Sequence, residues 1–426
     1  MLPEADWTGR VRCRATMSQP TELEPTRRGL WGAVALAAAV RLVYFATKWN
    51  RALNFNDSFY YSGQARQLAQ GVWFREVLFP FMPGAEHGPL TSILVAPLSF
   101  GDSFLRWQRL VTVVTGVLLV WVLGRFVEDL AGRRAGIAAA GIAAVYPNLW
   151  MNDGLVMSES ISMLLVALSL WAAWRLAGDG SRRQALLLGV ALGLAVLARS
   201  ELVLFVPVLA AWVMLVRRRD WRSTLLVLGM AGVVVAPWVV FNLTRFERPV
   251  FLTTNDGTTW YGSNCDEMYH GPDAGGWSLG CITLDPIYRA DEEPSVRSAR
   301  QRSLAIDYVG DHLSEVPKVM VARVLRTFDL YGRPGMVFQD VGDERPRWAS
   351  WVGIVMFWVL AALSVGGARL LPRRAWSLLV LPFLVVLCTS MLFYGGHRIR
   401  STAEPSLVAL SGVAVAALVP ERRAAA

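Results

Sequence analysis

Residues 198–219 read A-R-S-E-L-V-L-F-V-P-V-L-A-A-W-V-M-L-V-R-R-R. An uncharged apolar run between Glu201 and three successive arginines, Arg217, Arg218 and Arg219, is the pattern of a helix that crosses a bilayer and stops at its cytoplasmic face, where arginine accumulates. Similar runs recur along the chain at lengths near the roughly 17–25 residues a spanning helix needs. Lipid offers no partner to backbone N–H and C=O groups, so such runs can cross only as helices. Hydrophobic residues make up 54% of the 426 positions, 18 are tryptophan, and the mean hydropathy is +0.38. The chain therefore reads as an all-α polytopic membrane protein.

Working outward from this stretch, ten spans are predicted: about 29–47, 106–125, 135–150, 161–176, 185–198, 202–216, 224–242, 349–368, 376–394 and 406–420. Arg125, Arg133–Arg134, Arg175, Arg182–Arg183, Arg369, Arg373–Arg374 and Arg422–Arg423 fall at the turns that this order makes cytoplasmic, and both termini are then inside. The predicted organisation is a disordered cytoplasmic tail over 1–28 and a transmembrane module over 29–242 that includes an exported loop at 48–105. A second exported loop follows over 243–347, then C-terminal helices over 348–426. The tail lacks a signal-peptide pattern, and Met17 is an alternative start. The exported loops carry juxtamembrane helices. Residues 58–71 have helical periodicity (Phe59, Ala65, Leu68, Ala69) and are expected to lie along the interface. Residues 89–100 are apolar but too short to span, and 302–330 again has helical spacing.

The net charge of +9 would suggest nucleic acid in a soluble protein; here topology accounts for it. Lys48 and Lys318 are the only lysines, a bias of high-GC coding that points to a bacterial source. Four cysteines are too few for a disulfide scaffold. Cys13 lies in the tail and Cys388 in a span, while Cys265 and Cys281 share the second exported loop, either as a disulfide or as two free thiols. No repeat is evident, nor the paired broken helices of many transporters.

The informative charges are those that violate the topology. Asp57, in N-F-N-D-S-F-Y-Y, follows the first span on its exported side. Asp153 and Glu159 stand in M-N-D-G-L-V-M-S-E-S, and Glu201 in A-R-S-E-L. A carboxylate at the outer leaflet must be solvated, paired or functional. Arg199, and His397, Arg398 and Arg400 in G-G-H-R-I-R, are cationic where arginine is disfavoured. Guanidinium suits bidentate recognition of phosphate oxygens, such as those of a lipid-linked phosphate whose head lies at this surface. For Arg199, an ion pair with Glu201 or Glu159 is an equal expectation. His87 in E-H-G-P-L reads as a capping or packing residue, or as one that orients a substrate or binds a metal, and the turns at Asn255–Gly257 and Tyr261–Asn264 suit a sugar-facing loop.

Over about 29–420 these features resemble the GT-C superfamily of integral-membrane glycosyltransferases, in the branch similar to bacterial protein mannosyltransferases and lipid A aminoarabinose transferases. The resemblance rests on D-S-F-Y-Y-x-x-x-A-x-x-L-A-x-G at 57–71, H-G-P-L at 87–90, S-E-S at 158–160, A-R-S-E-L-V-L-F at 198–205 and H-R-I-R-S-T-A-E-P at 397–405. Ser200 stands where the family often has proline, and Gly88–Pro89 where it has two prolines, which leaves the substrate subclass open.

The resemblance implies transfer of a sugar from a polyprenyl-phosphate donor to an acceptor hydroxyl on a glycan, lipid or protein, at the exported face of a bacterial plasma membrane. Asp57 would be the general base, and Glu159 would hold the acceptor or a divalent cation. Arg398 and Arg400, with His397 and Arg199, would bind the donor phosphate. Asp153, Glu201, His87, Tyr60 and Tyr61 would support the acceptor. No cofactor is set by the motifs; Mg or Mn is compatible with them, and no nucleic-acid partner is expected. The competing reading is a transporter or flippase of a lipid-linked saccharide, although such proteins more often place their charges at the bilayer midplane.

Overall fold

The computed structural model describes residues 25–283, 289 and 291–419. Most of the predicted tail, with Cys13 and Met17, lies outside the described residues, as do Arg422 and Arg423. The membrane part holds α1 (Pro25–Lys48), α2 (Asp57–Ala69), α3 (Leu90–Val95, extended by a 3-10 turn at Ala96–Leu98), α4 (Phe104–Ala131), α5 (Arg133–Val145) and α6 (Pro147–Trp150). It continues with α7 (Glu159–Asp179), α8 (Arg182–Ala198), a 3-10 turn (Ser200–Leu204) leading into α9 (Phe205–Val216), and α10 (Trp221–Leu243). The second loop contains α11 (Asn255–Ser263), α12 (Asp266–His270), α13 (Gly280–Thr283), α14 (Pro294–Asp311), α15 (Val316–Thr327) and α16 (Arg333–Gly342). Last come α17 (Arg347–Leu370), α18 (Arg373–Leu392), the single turn α19 (His397–Arg400) and α20 (Glu404–Leu418). Among the described residues, β pairing is limited to an isolated bridge between Arg75 and Pro83.

Seven helices are long and apolar enough to cross a membrane: α1, α4, α7, α10, α17, α18 and the continuous stretch His397–Leu418. The other three predicted spans are shorter helices. In α5 the cause is Pro147: Tyr146 before it is extended (φ −68°, ψ 116°), the conformation proline imposes on its predecessor, so the helix stops after 13 residues. In α8 the helix stops where Arg199 is extended (φ −144°, ψ 119°). Residues 200–216 follow as a 3-10 turn and a short helix.

Small residues set the packing. A Cβ on Gly136 would stand 2.5 Å from the Gly124 carbonyl oxygen, so α4 and α5 touch along their backbones, as membrane helices do where side chains are absent. Helix α20 packs between α5 and α17, while α8 is held between α7 and α10. The C-terminal helices therefore join the bundle begun by the N-terminal ones. Helix α2 does not present the periodic apolar face that its sequence suggests. It buries Ser58, Tyr61, Ser62 and Ala65 and packs against α3 and the turn beyond it, with the Ser62 hydroxyl donating to Gln108 at 2.6 Å. The region 302–330 is two helices, α14 and α15, parted at His312–Glu315.

Candidate active site

Asp57 is the first residue of α2. Asn56 caps that helix, its side-chain oxygen accepting from the Ser58 N–H at 2.9 Å. The Asn54 and Asn56 amides both donate to the Gly342 carbonyl, at 2.9 and 3.1 Å, which ties the N-F-N-D strand to the end of α16. The carboxylate thus faces a cavity of about 480 Å³, within the range of small-ligand sites. The 86–88 turn, the end of α8 and the Arg199–Glu201 turn form one wall. Residues 249–256, the inner face of α14 (Ser298, Arg302) and the segment 392–399 close the others. Glycine at 88 is required here, since a Cβ would stand 2.4 Å from the Leu197 carbonyl oxygen. That close approach brings His87 beside the end of α8, with its ring between Tyr60 and Tyr61 (centroids 5.1 and 5.0 Å) and its Nε2 3.6 Å from Asp57.

Arg398 is the centre of the charge arrangement. Its Nη2 donates to Asp57 at 2.6 Å, its Nε to Glu159 at 2.8 Å, and its Nη1 lies 3.2 Å from Asp343. Arg199 reaches Glu201 at 2.5 Å and Glu159 at 3.2 Å. Both pairings foreseen for Arg199 are present, and its side chain still lines the cavity. Burial alone would raise the Asp57 carboxyl, but the charges of Arg398 and His87 outweigh it and hold the group well below the usual carboxylate range. The half-buried carboxylate, 32% exposed, is therefore ionised at any ordinary pH.

The structure separates the predicted site residues. Asp57, His87, Tyr61, Arg199, Glu201 and Arg398 line the cavity. Glu159 does not. It is fully buried behind Arg398 and Arg199, where one oxygen gathers both guanidiniums, so it orients the arginines and makes no contact with the cavity. His397 and Arg400 also turn away. His397 lies between Asp329 (3.1 Å) and Asp340 (2.8 Å). Arg400, with none of its side chain exposed, pairs with Asp329 and Glu404 at 2.7 and 2.8 Å over the face of Phe357. Their placement as donor-phosphate ligands is corrected accordingly: α19 is a single turn, so residues 397 and 400 share the face toward Asp329, and Arg398 points the other way.

Asp153 is likewise internal. It accepts from Arg41 at 2.7 Å and from the Ser160 hydroxyl at 2.6 Å, and burial pushes it up to about 6 against those partners. Tyr60 is enclosed, its hydroxyl accepting from the Glu86 N–H and the Gln64 amide at 2.8 and 2.9 Å.

Several contributors were not foreseen. Arg41 is a charge inside the first span, an expensive placement that implies a buried acidic partner. The acidic run D-V-G-D-E-R at 340–345 supplies Asp340 and Asp343, which grip Arg345 at 3.0 Å each, and Arg345 in turn lies 3.7 Å from Glu159. Glu86, Asp256 and Arg302 also face the cavity, the last two paired at 2.5 Å. Among the described residues, Asp57, Glu159 and Glu201 are bridged by arginines and do not converge as metal ligands. They do not fit the Mg or Mn that the motifs allowed. Cys265 and Cys281 form a disulfide.

Residues 98–241 match the family model described as dolichyl-phosphate-mannose-protein mannosyltransferase, about a third of the chain. No curated protein matches by sequence. Among solved structures, the chain is similar to the oligosaccharyltransferase of Archaeoglobus fulgidus tethered to an acceptor peptide with the NVT sequon, at 13% identity and a TM-score of 0.58, covering 92% of this chain and 49% of that one. The same archaeal enzyme, AglB, in complex with an inhibitory peptide and a dolichol-phosphate, aligns at 14% identity and a TM-score of 0.55 over 92% and 50% of the two chains. ArnT from Cupriavidus metallidurans bound to undecaprenyl phosphate aligns at 20% identity over 91% and 78%, with a TM-score of 0.43. The chain spans about half the length of the archaeal structures it matches. The segment that matches this family model thus lies inside a helical scaffold that shares the fold of the archaeal oligosaccharyltransferase.

Proposed function

We propose that the protein is a glycosyltransferase that moves a sugar from a polyprenyl-phosphate carrier to an acceptor hydroxyl. The observation that carries this reading is the Asp57–Arg398 pair at 2.6 Å, open to a cavity that Arg199 also lines. Asp57 takes the proton of the acceptor hydroxyl, the hydroxyl oxygen bonds to the anomeric carbon, and the anomeric C–O bond to phosphate breaks with inversion. The pair of electrons leaves on the carrier phosphate, where Arg398 and Arg199 stabilise the developing charge. No metal ion enters these steps.

With only Arg398 and His87 beside it, Asp57 is too weakly basic to work well, because they stabilise its ionised form. A donor phosphate that binds Arg398 draws that charge away and raises the basicity of Asp57 when the acceptor needs it. Three further features support the reading. Residues 249–256 and α14, all from the second loop, wall the cavity, so that loop is placed to select the acceptor. The Cys265–Cys281 bond lies in the same loop, and structural disulfides persist in oxidising compartments, as expected of the exported face of a bacterial plasma membrane. AglB is solved with a dolichol-phosphate, a ligand of the chemistry that the arginines suit.

The test is to incubate wild type and Asp57→Asn in detergent with polyprenyl-phosphate sugars carrying radiolabel, in the presence of candidate acceptors. Label is expected to leave one carrier in wild type and to remain on it in the variant. Carrier binding without release by wild type, for every acceptor class, would instead identify a flippase or binding protein.

A further inference from the structure

Away from the cavity, the second loop brings three metal-ligating side chains together. Asp266 and His270 sit four residues apart on α12, hence on one face of that turn, and His312 follows the end of α14. Their ligating atoms all lie within 4.8 Å of one another. None of the three lines the catalytic cavity, and none has a part in the proposed transfer.

The groups behind them carry the inference. The Nδ1 of His312 lies 2.8 Å from the Tyr308 carbonyl oxygen, so it donates there and leaves Nε2 with its lone pair. The Nδ1 of His270 faces the Glu315 carboxylate at 3.3 Å, which again leaves Nε2 as the free nitrogen. Metal-bound histidines characteristically spend their second ring nitrogen on a carboxylate or a backbone carbonyl, which sets the tautomer and the ring direction. Tyr308 completes the support: its hydroxyl donates to Asp266 at 2.8 Å, and its ring stacks on His312 with centroids 4.1 Å apart. Two imidazoles and one carboxylate are thus each held by a neighbouring group, with one ligating atom of each within 4.8 Å of the others.

We propose that Asp266, His270 and His312 form a binding site for a transition-metal dication of the zinc type. Two imidazole nitrogens and a carboxylate oxygen are a donor set that Zn²⁺ accepts in tetrahedral geometry, with water in the fourth position. Its role follows from its place. Asp266 adjoins Cys265, so the ion joins the disulfide-closed lobe to the end of α14, the helix whose Ser298 and Arg302 wall the cavity. The ion braces that wall without touching the substrate.

The test uses the full-length protein in detergent, stripped with EDTA, reloaded with excess ZnCl2 or CoCl2, and desalted. Expected is one Zn²⁺ per chain by elemental analysis, together with a Co²⁺ form whose visible absorption is bleached by Zn²⁺. His270→Ala and His312→Ala lose the ion, Glu315→Gln keeps it with an affinity weaker by about 10–100-fold, and Asp57→Asn binds as wild type does. Failure of wild type to bind one ion, or retention of the ion by His312→Ala, overturns the proposal. Should a histidine variant not fold, carbethoxylation of wild type provides the same discrimination. Zn²⁺ protection of His270 and His312, read by peptide mass, supports the site, and equal labelling with and without Zn²⁺ overturns it.

Discussion

Two neighbouring charge clusters, one on each side of α19, have similar members and opposite settings. On one side Arg398, 23% exposed, meets Asp57 and Glu159 at the cavity. On the other, Arg400 and His397 meet Asp329, Asp340 and Glu404 with little or no solvent. The inner cluster is paired with Asp329, Asp340 and Glu404 and packed on Phe357 away from solvent, which keeps its cations out of reach of a ligand. Asp329 even holds a left-handed backbone, φ +57°, to serve both His397 and Arg400. The outer cluster borders the cavity, so its pairing is within reach of a ligand. What separates the two clusters is access, since the residue types are similar.

Substitutions can break this contrast, and Asp57→Asn should do so most strongly. It removes the proton acceptor while leaving the helix cap at Asn56, so turnover should fall by about 10²–10⁴-fold with an unchanged melting temperature; near-normal turnover would remove Asp57 as base. Arg400→Ala, on the inner side, leaves Asp329 and Glu404 buried with one partner fewer. The expected loss is about 3–5 kcal/mol of stability, read as a lower melting temperature in detergent. A well-folded variant with weakened donor binding would instead return Arg400 to the phosphate site. Arg398→Ala takes one partner from buried Glu159 and should also melt lower, but unlike Arg400→Ala it should weaken donor affinity by about 10–100-fold, the worth of a charge-assisted hydrogen bond. Unchanged donor affinity would leave Arg398 with only its ion pairs.

The smallest and sharpest effect is in pH. The Asp57 pKa is depressed in the free protein, so kcat/KM, which reports the free enzyme, should hold as pH falls through the ordinary carboxylate value of about 3.9 and fail only below it. In the donor complex Arg398 is shared with phosphate, so the acid limb of kcat should lie at higher pH than that of kcat/KM. Coincident limbs would refute the exchange of Arg398 between Asp57 and the donor.

Much of the fold was legible. Each of the ten apolar runs became helix, because burying such runs depends on local composition. Three were shorter than a span for reasons only partly visible in sequence: Pro147 was there to be read, whereas the break at Arg199 follows from its pairing with Glu159 and Glu201. The site was half legible. Asp57, Arg398 and Arg199 stand out as charges in the wrong place, and they do face the cavity. His397 and Arg400 stand out equally and are structural. Arg41 and the acids at 340–345 passed unnoticed because one lay inside a run read as apolar and the others in a long loop where charge is ordinary.

Membrane residence is written in local sequence, since span length, arginine bias and the cost of unpaired backbone in lipid are properties of short segments. Local sequence also nominates Asp57. Which cation Asp57 meets is a matter of folding, since Arg398 lies 341 positions away. Folding alone decides, too, which arginines of H-R-I-R stay open to a ligand. A charge is available or consumed according to the partners that folding brings beside it, and those partners come from segments no local pattern connects.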